Sequence, residues 1–194
     1  MEKSLNVVSI GGSTGVLRTD HNIPAPGDIR NCLVALAKDQ KNLHKLFNYR
    51  FDEGGLKGHS FGNLFLTALT KVTGDFEQAI AETAEILNIH GKVLPTTLTD
   101  HHLCAEVGDG THAKTEVEVE QKGVTGVKKL YLEPQPRATK EVIDAIMQAD
   151  IIVLGPGSLY TSILANIVVG GVKEALEKTK AKIVFIHPIF TQAG

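Results

Sequence analysis

The chain has little of several features that mark whole classes of protein. Its two cysteines, Cys32 and Cys104, lie far apart without metal-ligand spacing, which argues against a disulfide scaffold and fits a reducing cytosol. With 20 basic and 22 acidic residues the net charge is -2, so no basic excess supports general nucleic-acid binding. No apolar run is long enough to span a membrane, and residues 1–6 do not resemble a secretory signal. We therefore expect a cytoplasmic protein with no membrane insertion and no nucleic-acid partner.

What is present is the composition of a globular protein with a core. Hydrophobic residues make up 42% of the chain and charged residues 22%. A length of 194 residues is sufficient for one α/β domain. We interpret residues 1–194 as a single domain and leave a homo-oligomer open.

Two short apolar runs, each followed by glycine, predict strands that end in tight turns. Residues 5–10 stop at Gly11, and residues 151–154 stop at Gly155 before a helix that begins near Leu159. Residues 183–186 form another apolar strand. Strand, helix and strand in this order predict a doubly wound, mostly parallel sheet with helices on both faces, as in Rossmann-like folds. Because the first two runs are apolar on both faces, we expect them to be central and adjacent.

Caps and periodicity predict the other elements. Helices are expected over residues 60–71, 75–87 and 140–147, with Gly74 as a stop and Asp75 as a cap, and Asp28 is expected to cap a further helix. Thr or Val alternates with Glu over residues 115–120, which predicts a strand with one solvent-exposed face. Residues 127–132 are a candidate partner strand.

One stretch does not fit a doubly wound fold. After the first strand such a fold needs a crossover of about a dozen residues, mostly helical. Residues 16–27 instead contain Pro24 and Pro26 and no helical period. Either the first strand returns in an unusual way or residues are absent near positions 11–17, and we favour the absence.

The two glycine-rich turns are the first candidate ligand site. Glycines let backbone amides point at a phosphate, and in open α/β sheets ligands bind at the carboxyl ends of strands. The hydroxyls of Ser158, Thr161 and Ser162 add donors to the second turn. The alternatives are a plain strand-exit turn and a serine-capped helix. The candidate residues of the two turns are Gly11, Gly12, Ser13, Thr14, Gly15, Gly155, Gly157 and Ser158.

Two polar stretches before helices supply further candidates, as does Thr191 near the end of the sequence. The first stretch contains His59, Ser60 and Asn63, which would lie at the start of a helix, where they could bind a base, a sugar or a phosphate. The alternative is that His59 has a purely structural role. The second contains Asp28, Arg30 and Asn31, where the guanidinium suits a phosphate. The alternative there is a capping aspartate beside a solvated arginine.

The histidine-rich stretch around His101 and His102 does not predict a metal site. Adjacent residues of a strand point to opposite faces, so the two imidazoles do not chelate one ion simply. A nucleophile elbow is also absent, because Ser158 lacks the second glycine of that motif. We assign no metal ligand and no catalytic residue.

Five strings in this order (GDIRNCLVAL, FNYRF, GHSFGNLFLTALT, TGDFEQAI and ADIIVLGPGSLYTSILANIVV) resemble the YvcK/CofD-like family over residues 27–192. The resemblance is nearest to the YvcK-like branch, the gluconeogenesis factors. It implies a cytoplasmic protein needed for growth and cell shape on gluconeogenic carbon sources. It also implies a nucleotide or UDP-sugar ligand.

The other branch of that family implies an alternative, an enzyme. CofD proteins are 2-phospho-L-lactate transferases of coenzyme F420 biosynthesis that use Mg²⁺. The family pattern carries a second glycine turn with an acidic pair, and residues 12–18 resemble only the end of that turn, fused onto the first strand. Because the acidic pair expected to hold Mg²⁺ has no counterpart, a binding or regulatory protein is the leading interpretation.

Overall fold

The computed structural model describes residues 5–11, 26–38, 41–108, 110–122 and 126–187. The chain divides into two compact units. We call Met1–Ser13 with Thr96–Gly194 the sheet unit, and Thr14–Pro95 the helical unit.

The described elements are numbered in chain order. The strands are β1 (Val7–Ile10), β2 (His102–Val107), β3 (His112–Ala113), β4 (Val127–Glu133), β5 (Ile151–Leu154) and β6 (Lys182–Phe185). The helices are α1 (Pro26–Leu36), α2 (Lys41–Asn48), α3 (Phe61–Thr73), α4 (Phe76–Ile86), α5 (Glu116–Lys122), α6 (Lys140–Gln148), α7 (Ala165–Ile167) and α8 (Val172–Lys178). A 3₁₀ turn occupies Gly54–Leu56, and a π-helix over Leu159–Leu164 leads directly into α7.

The helical unit packs α1 to α4 around one apolar cluster. Its fully buried members include Leu33 of α1, Phe47 of α2 and Leu66 of α3. Phe47 also meets the ring of Phe61 edge-on, with 5.7 Å between the ring centroids. Each helix therefore buries one apolar stripe against its neighbours, as amphipathic helices do.

Local signals predicted the boundaries of α3 and α4 well. The Ser60 hydroxyl accepts a hydrogen bond from the Asn63 amide at the start of α3, and Asp75 accepts one from the Gln78 amide at the start of α4. Gly74 ends α3 in the left-handed conformation with φ 74°, a geometry that glycine adopts without strain. These caps are confirmed.

The sheet unit contains a parallel sheet in the order β1-β5-β6, flanked by helices, which confirms the predicted fold class. Strands β5 and β6 run parallel and are joined by helices, which confirms the βαβ unit. The prediction that β1 and β5 are adjacent is also confirmed. The predicted central place holds for β5 only, because β1 ends the described order and its Val7 is 57% exposed.

A second, antiparallel sheet has the order β3-β2-β4. The strand predicted over residues 115–120 is wrong, because these residues enter α5. The Thr115 hydroxyl accepts from the Glu118 amide while the Glu118 carboxylate accepts from the Lys114 amide, an arrangement close to a capping box. The actual partner of β4 is β2, with Leu103 opposite Leu132.

The core of the sheet unit holds the parallel sheet in place. Ile152 of β5 is fully buried and belongs to one cluster with Ile146 of α6 and Val172 of α8. Val8 and Ile10 of β1 pack against the same cluster. This packing fixes the strand ends from which the candidate site is built.

Candidate functional site

The carboxyl ends of the three parallel strands meet at one edge of the sheet. Ile10 of β1 is opposite Leu154 of β5, which is opposite Phe185 of β6. The Gly155 amide donates to the Ile10 carbonyl oxygen at 3.2 Å. The carboxyl end of β1 at Gly11 and the turn at Gly155 are therefore side by side at the edge where open α/β sheets bind ligands.

The turn after β5 can be built only with glycine at its first position. Gly155 has φ +82°, and a Cβ there would lie 2.9 Å from the Ile186 carbonyl oxygen. At Gly157 a Cβ would lie 3.1 Å from the Cβ of Ser162. The chain therefore folds back closely on itself, with amides at the start of the following helix.

That following helix begins in an unusual conformation. The Ser158 carbonyl oxygen accepts from both the Ser162 and the Ile163 amides at 3.0 Å, and the second bond has π-helical spacing. The Ser158 hydroxyl accepts from the Thr161 amide at 3.4 Å, as the capped-helix alternative expects. Segments of this kind are frequent at functional sites, although the cap alone does not distinguish a ligand role from a structural one.

The three hydroxyls that were expected to converge have different surroundings. Thr161 is only 4% exposed and belongs to the interior, whereas Ser158 and Ser162 are partly exposed. Asn166, which sequence reasoning did not single out, donates to the Ser162 carbonyl oxygen and accepts from the Thr96 hydroxyl. Its role depends on residues 70 positions apart in sequence, so no local signal could have identified it.

In the helical unit the predicted cap at Asp28 is wrong. Helix α1 begins at Pro26, so Asp28 lies inside its first turn. Proline is favoured at the first position of a helix, because the missing N–H would have no helical partner there. An acidic residue in that turn still suits the positive end of the helix.

Arg30 is buried, unlike the solvated side chain that was the alternative to a phosphate-binding role. Its side chain is 9% exposed, and it donates to the Phe47 carbonyl oxygen and to the side-chain oxygens of Asn31 and Asn48. Burial and then the charge of Arg50 lower the pKa of Arg30, while Asp28 raises it. The solvated interpretation of Arg30 is therefore wrong.

The start of α3 carries the other predicted residues of this unit. His59 is half-buried, its amide donating to the Leu56 carbonyl oxygen and its own carbonyl oxygen accepting from the Phe51 amide. The Asn63 side-chain oxygen is buried and has no hydrogen-bond partner in the described part of the chain. Gly12, Ser13, Thr14, Gly15 and Thr191, together with the inferred gap near positions 11–17, lie outside the described residues.

The described ranges contain neither a metal-binding cluster of side chains nor a membrane-spanning helix. Among these residues, no group of three or more His, Cys, Asp or Glu side chains is placed to hold a metal ion. No helix formed by them is both long and apolar enough to cross a membrane.

The chain is similar in sequence to one family model and to several curated proteins that share a name. A family model described as 2-phospho-L-lactate transferase CofD matches residues 5–194. The gluconeogenesis factors of Bacillus subtilis and Halalkalibacterium halodurans are each 44% identical to the chain over 192 residues, 98% of it. An Aquifex aeolicus protein that carries the same name provisionally is 49% identical over 193 residues. The chain spans 59% to 60% of the length of these three relatives.

Solved structures show the same relationship. A crystal structure of a Bacillus halodurans protein, described as a member of the UPF0052 family, has a TM-score of 0.89 at 38% identity. The match covers 95% of this chain and 69% of that one. Another crystal structure of a Bacillus halodurans protein gives a TM-score of 0.92 at 39% identity, covering 99% of this chain and 71% of that one.

Proposed function

Because the chain belongs to the CofD family, we propose that it binds a nucleotide or nucleotide sugar, such as a UDP-sugar, at the carboxyl edge of its parallel sheet. The observation that carries the proposal is the hydrogen bond from the Gly155 amide to the Ile10 carbonyl oxygen, which sets the Gly155 turn beside the carboxyl end of β1. Glycine turns at strand ends present backbone amides to phosphate groups. Within the turn, Gly157 and Ser158 supply such amides with the Ser158 hydroxyl beside them, because Pro156 has no N–H and the Gly155 amide donates to Ile10.

We further propose that this binding serves a regulatory role in a cytoplasmic protein. The relatives are named gluconeogenesis factors, and the resemblance implies a requirement for growth and cell shape on gluconeogenic carbon sources. A ligand that reports sugar-nucleotide supply would connect such a requirement to envelope growth.

The rival is transfer of a phospholactyl group, as the name of the matching family model suggests. This chemistry would use Mg²⁺, a hard cation that prefers carboxylate and phosphate oxygens. The described residues of the two turns, Gly11 and residues 155–158, include no carboxylate. They do not fit Mg²⁺, so the binding role is favoured.

Calorimetric titration with a UDP-sugar tests the proposed site. Ser158→Ala removes one hydroxyl, which costs about 1 kcal/mol, or roughly fivefold in affinity. Gly157→Val should weaken binding more, because its branched side chain occupies the space that a phosphate needs. Ser9→Ala, on an exposed position of β1, should bind like the parent and serves as the matched control for the serine change.

Gly157→Val could weaken binding in two ways, either by blocking the ligand or by disturbing the turn through its contact with Ser162. The double variant Gly157→Val with Ser162→Gly relieves that contact and keeps the block, and Ser162→Gly alone is its reference. If the double variant melts like its reference and binds the UDP-sugar like its reference too, the turn is not the site.

A further inference from the structure

Arg30 is a buried cation whose hydrogen bonds all go to neutral groups. Its terminal nitrogens donate to the Phe47 carbonyl oxygen at 3.4 Å, to the Asn48 side-chain oxygen at 3.3 Å, and to the side-chain oxygen of Asn31. Its Nε is buried and has no acceptor in the part of the chain that the structure describes. A buried charge whose hydrogen bonds all go to neutral groups is costly, so a directly bonded negative partner would stabilise it considerably.

The side chain of Arg30 runs across the first turn of α3. A Cβ added at Gly62 would lie 2.8 Å from both Cγ and Cδ of Arg30, so the aliphatic stem occupies the space that this glycine leaves. The unpaired Nε is bonded to that Cδ and therefore lies beside the start of a helix of 13 residues. Helix starts carry partial positive charge, which adds to that of the guanidinium.

Asn63, the next residue along that turn, has the second unpaired buried atom, its Oδ1. The oxygen and nitrogen of an asparagine amide are assigned by their partners, and rotating this amide replaces the unpaired acceptor by a donor. The turn would then offer a guanidinium N–H and an amide N–H together. Both would be satisfied by an anion with several acceptor oxygens.

The surrounding charges also favour an anion. Arg50 lies near enough to lower the pKa of Arg30, and the opposing influence of Asp28 is the weaker of the two. Arg50 itself donates to the Gly58 carbonyl oxygen, a neutral group. Asn31 and Asn48, which hold the terminal nitrogens of Arg30, are both exposed, so one edge of the guanidinium is close to solvent.

We propose that Arg30, Asn31, Asn48 and Asn63 form an anion cradle at the start of α3 that takes a phosphate or pyrophosphate group. Guanidinium groups bind such anions through paired N–H donors, which an ammonium group does not offer. The cradle lies wholly within the helical unit. It does not depend on the proposed nucleotide site of the sheet unit. Its phosphate comes from free pyrophosphate or from a nucleoside diphosphate.

The direct test is nuclear magnetic resonance of the arginine Nε–H signals of the parent protein. The Arg30 signal, assigned through its side-chain bonds to the backbone of the isotope-labelled parent protein, should shift saturably on titration with pyrophosphate or uridine diphosphate. The signal of Arg137, an exposed arginine of the sheet unit, should stay in place. Sodium chloride at matched ionic strength should leave both signals unchanged.

The titrations with pyrophosphate and with uridine diphosphate distinguish the two sources of the phosphate. A shift with pyrophosphate shows that free anions suffice, and a shift with uridine diphosphate alone shows that the nucleotide is required. An Arg30 signal that moves with neither ligand overturns the proposal, and this reading does not depend on whether the lysine variant folds. In calorimetric titration, Arg30→Lys should lower the affinity for the anion by about tenfold or more, while Arg137→Lys should leave that affinity unchanged.

This test is independent of the nucleotide site. Gly157→Val should leave the response of Arg30 to pyrophosphate unchanged if the cradle is a separate site. If the UDP-sugar fails to bind anywhere while pyrophosphate still shifts Arg30, the proposed function fails and the cradle stands. If the UDP-sugar binds at the turn while Arg30 responds to neither anion, the cradle fails alone.

Discussion

The amide of Gly155 donates to the carbonyl oxygen of Ile10 across the parallel pair β1 and β5, at 3.2 Å. This bond continues the ladder one step beyond the last paired residues, Ile10 and Leu154. It places the start of one glycine turn directly beside the end of the other strand. The candidate site is thus a consequence of strand register as well as of glycine content.

We expect Gly155→Ala to destabilise the protein more than alanine at another glycine of similar conformation. The left-handed φ adds strain at both positions, but only at Gly155 does the new methyl group meet a backbone oxygen, 2.9 Å away. Gly126→Ala, with φ +85° and open space around it, is the control. Urea denaturation should show an extra loss of about 1–3 kcal/mol at position 155. Equal losses at the two positions would contradict this packing.

Gly62→Ala should destabilise the protein although alanine is the better helix former. The added methyl group would lie 2.7 Å from the Phe47 carbonyl oxygen and 2.8 Å from the stem of Arg30. We expect a loss of about 1–3 kcal/mol in the free energy of unfolding. Gly55→Ala, where nothing lies within 4 Å, should change it little. A stabilised Gly62→Ala would show that Arg30 does not cross this turn.

Thr115→Val distinguishes the observed helix α5 from the strand that the alternating sequence suggested. Valine favours strands and would be tolerated in one. In the helix it removes the hydroxyl that accepts from the Glu118 amide at 3.1 Å, which should cost about 1 kcal/mol. Thr99→Val, at an exposed position outside the helices and strands, is the comparison. The midpoints of urea denaturation of the two variants and the parent distinguish the helix from the strand. A Thr115→Val variant more stable than the parent would favour the strand.

The two thiols should differ in reactivity. Burial raises the pKa of both, but Cys104 is only 1% exposed in β2, whereas Cys32 lies on the exposed side of α1. Only the thiolate reacts, so both should alkylate slowly at neutral pH and faster as the pH rises. Mass spectrometry after brief iodoacetamide treatment should find Cys32 modified first. Cys104 modified at the same rate would indicate that β2 opens readily.

The sequence predicted those parts of the fold whose signals are local. Caps at Ser60 and Asp75 and the apolar run of β5 needed no distant partner, and each was confirmed. The error over residues 115–120 arose because period-two alternation outweighed the T-x-x-E capping signal that the same residues carry. That signal was present in the sequence and would have identified α5.

The candidate site was less predictable, because its parts meet only through tertiary packing. That the carboxyl ends of β1 and β5 are neighbours follows from their parallel pairing, which their apolar runs indicated. The burial of Arg30 depends on Phe47, Asn48 and Gly62, which lie 17 to 32 positions away. No local pattern distinguishes such an arginine from a solvated one.

The most direct test of the central claim is a crystal structure of the protein grown with a UDP-sugar. The account predicts density for the diphosphate at the carboxyl edge of the β1-β5-β6 sheet. Its oxygens should lie within about 3 Å of the backbone nitrogens of Gly157 and Ser158, as charge-assisted hydrogen bonds require. Density for the ligand elsewhere, with that turn free of it, would contradict the account.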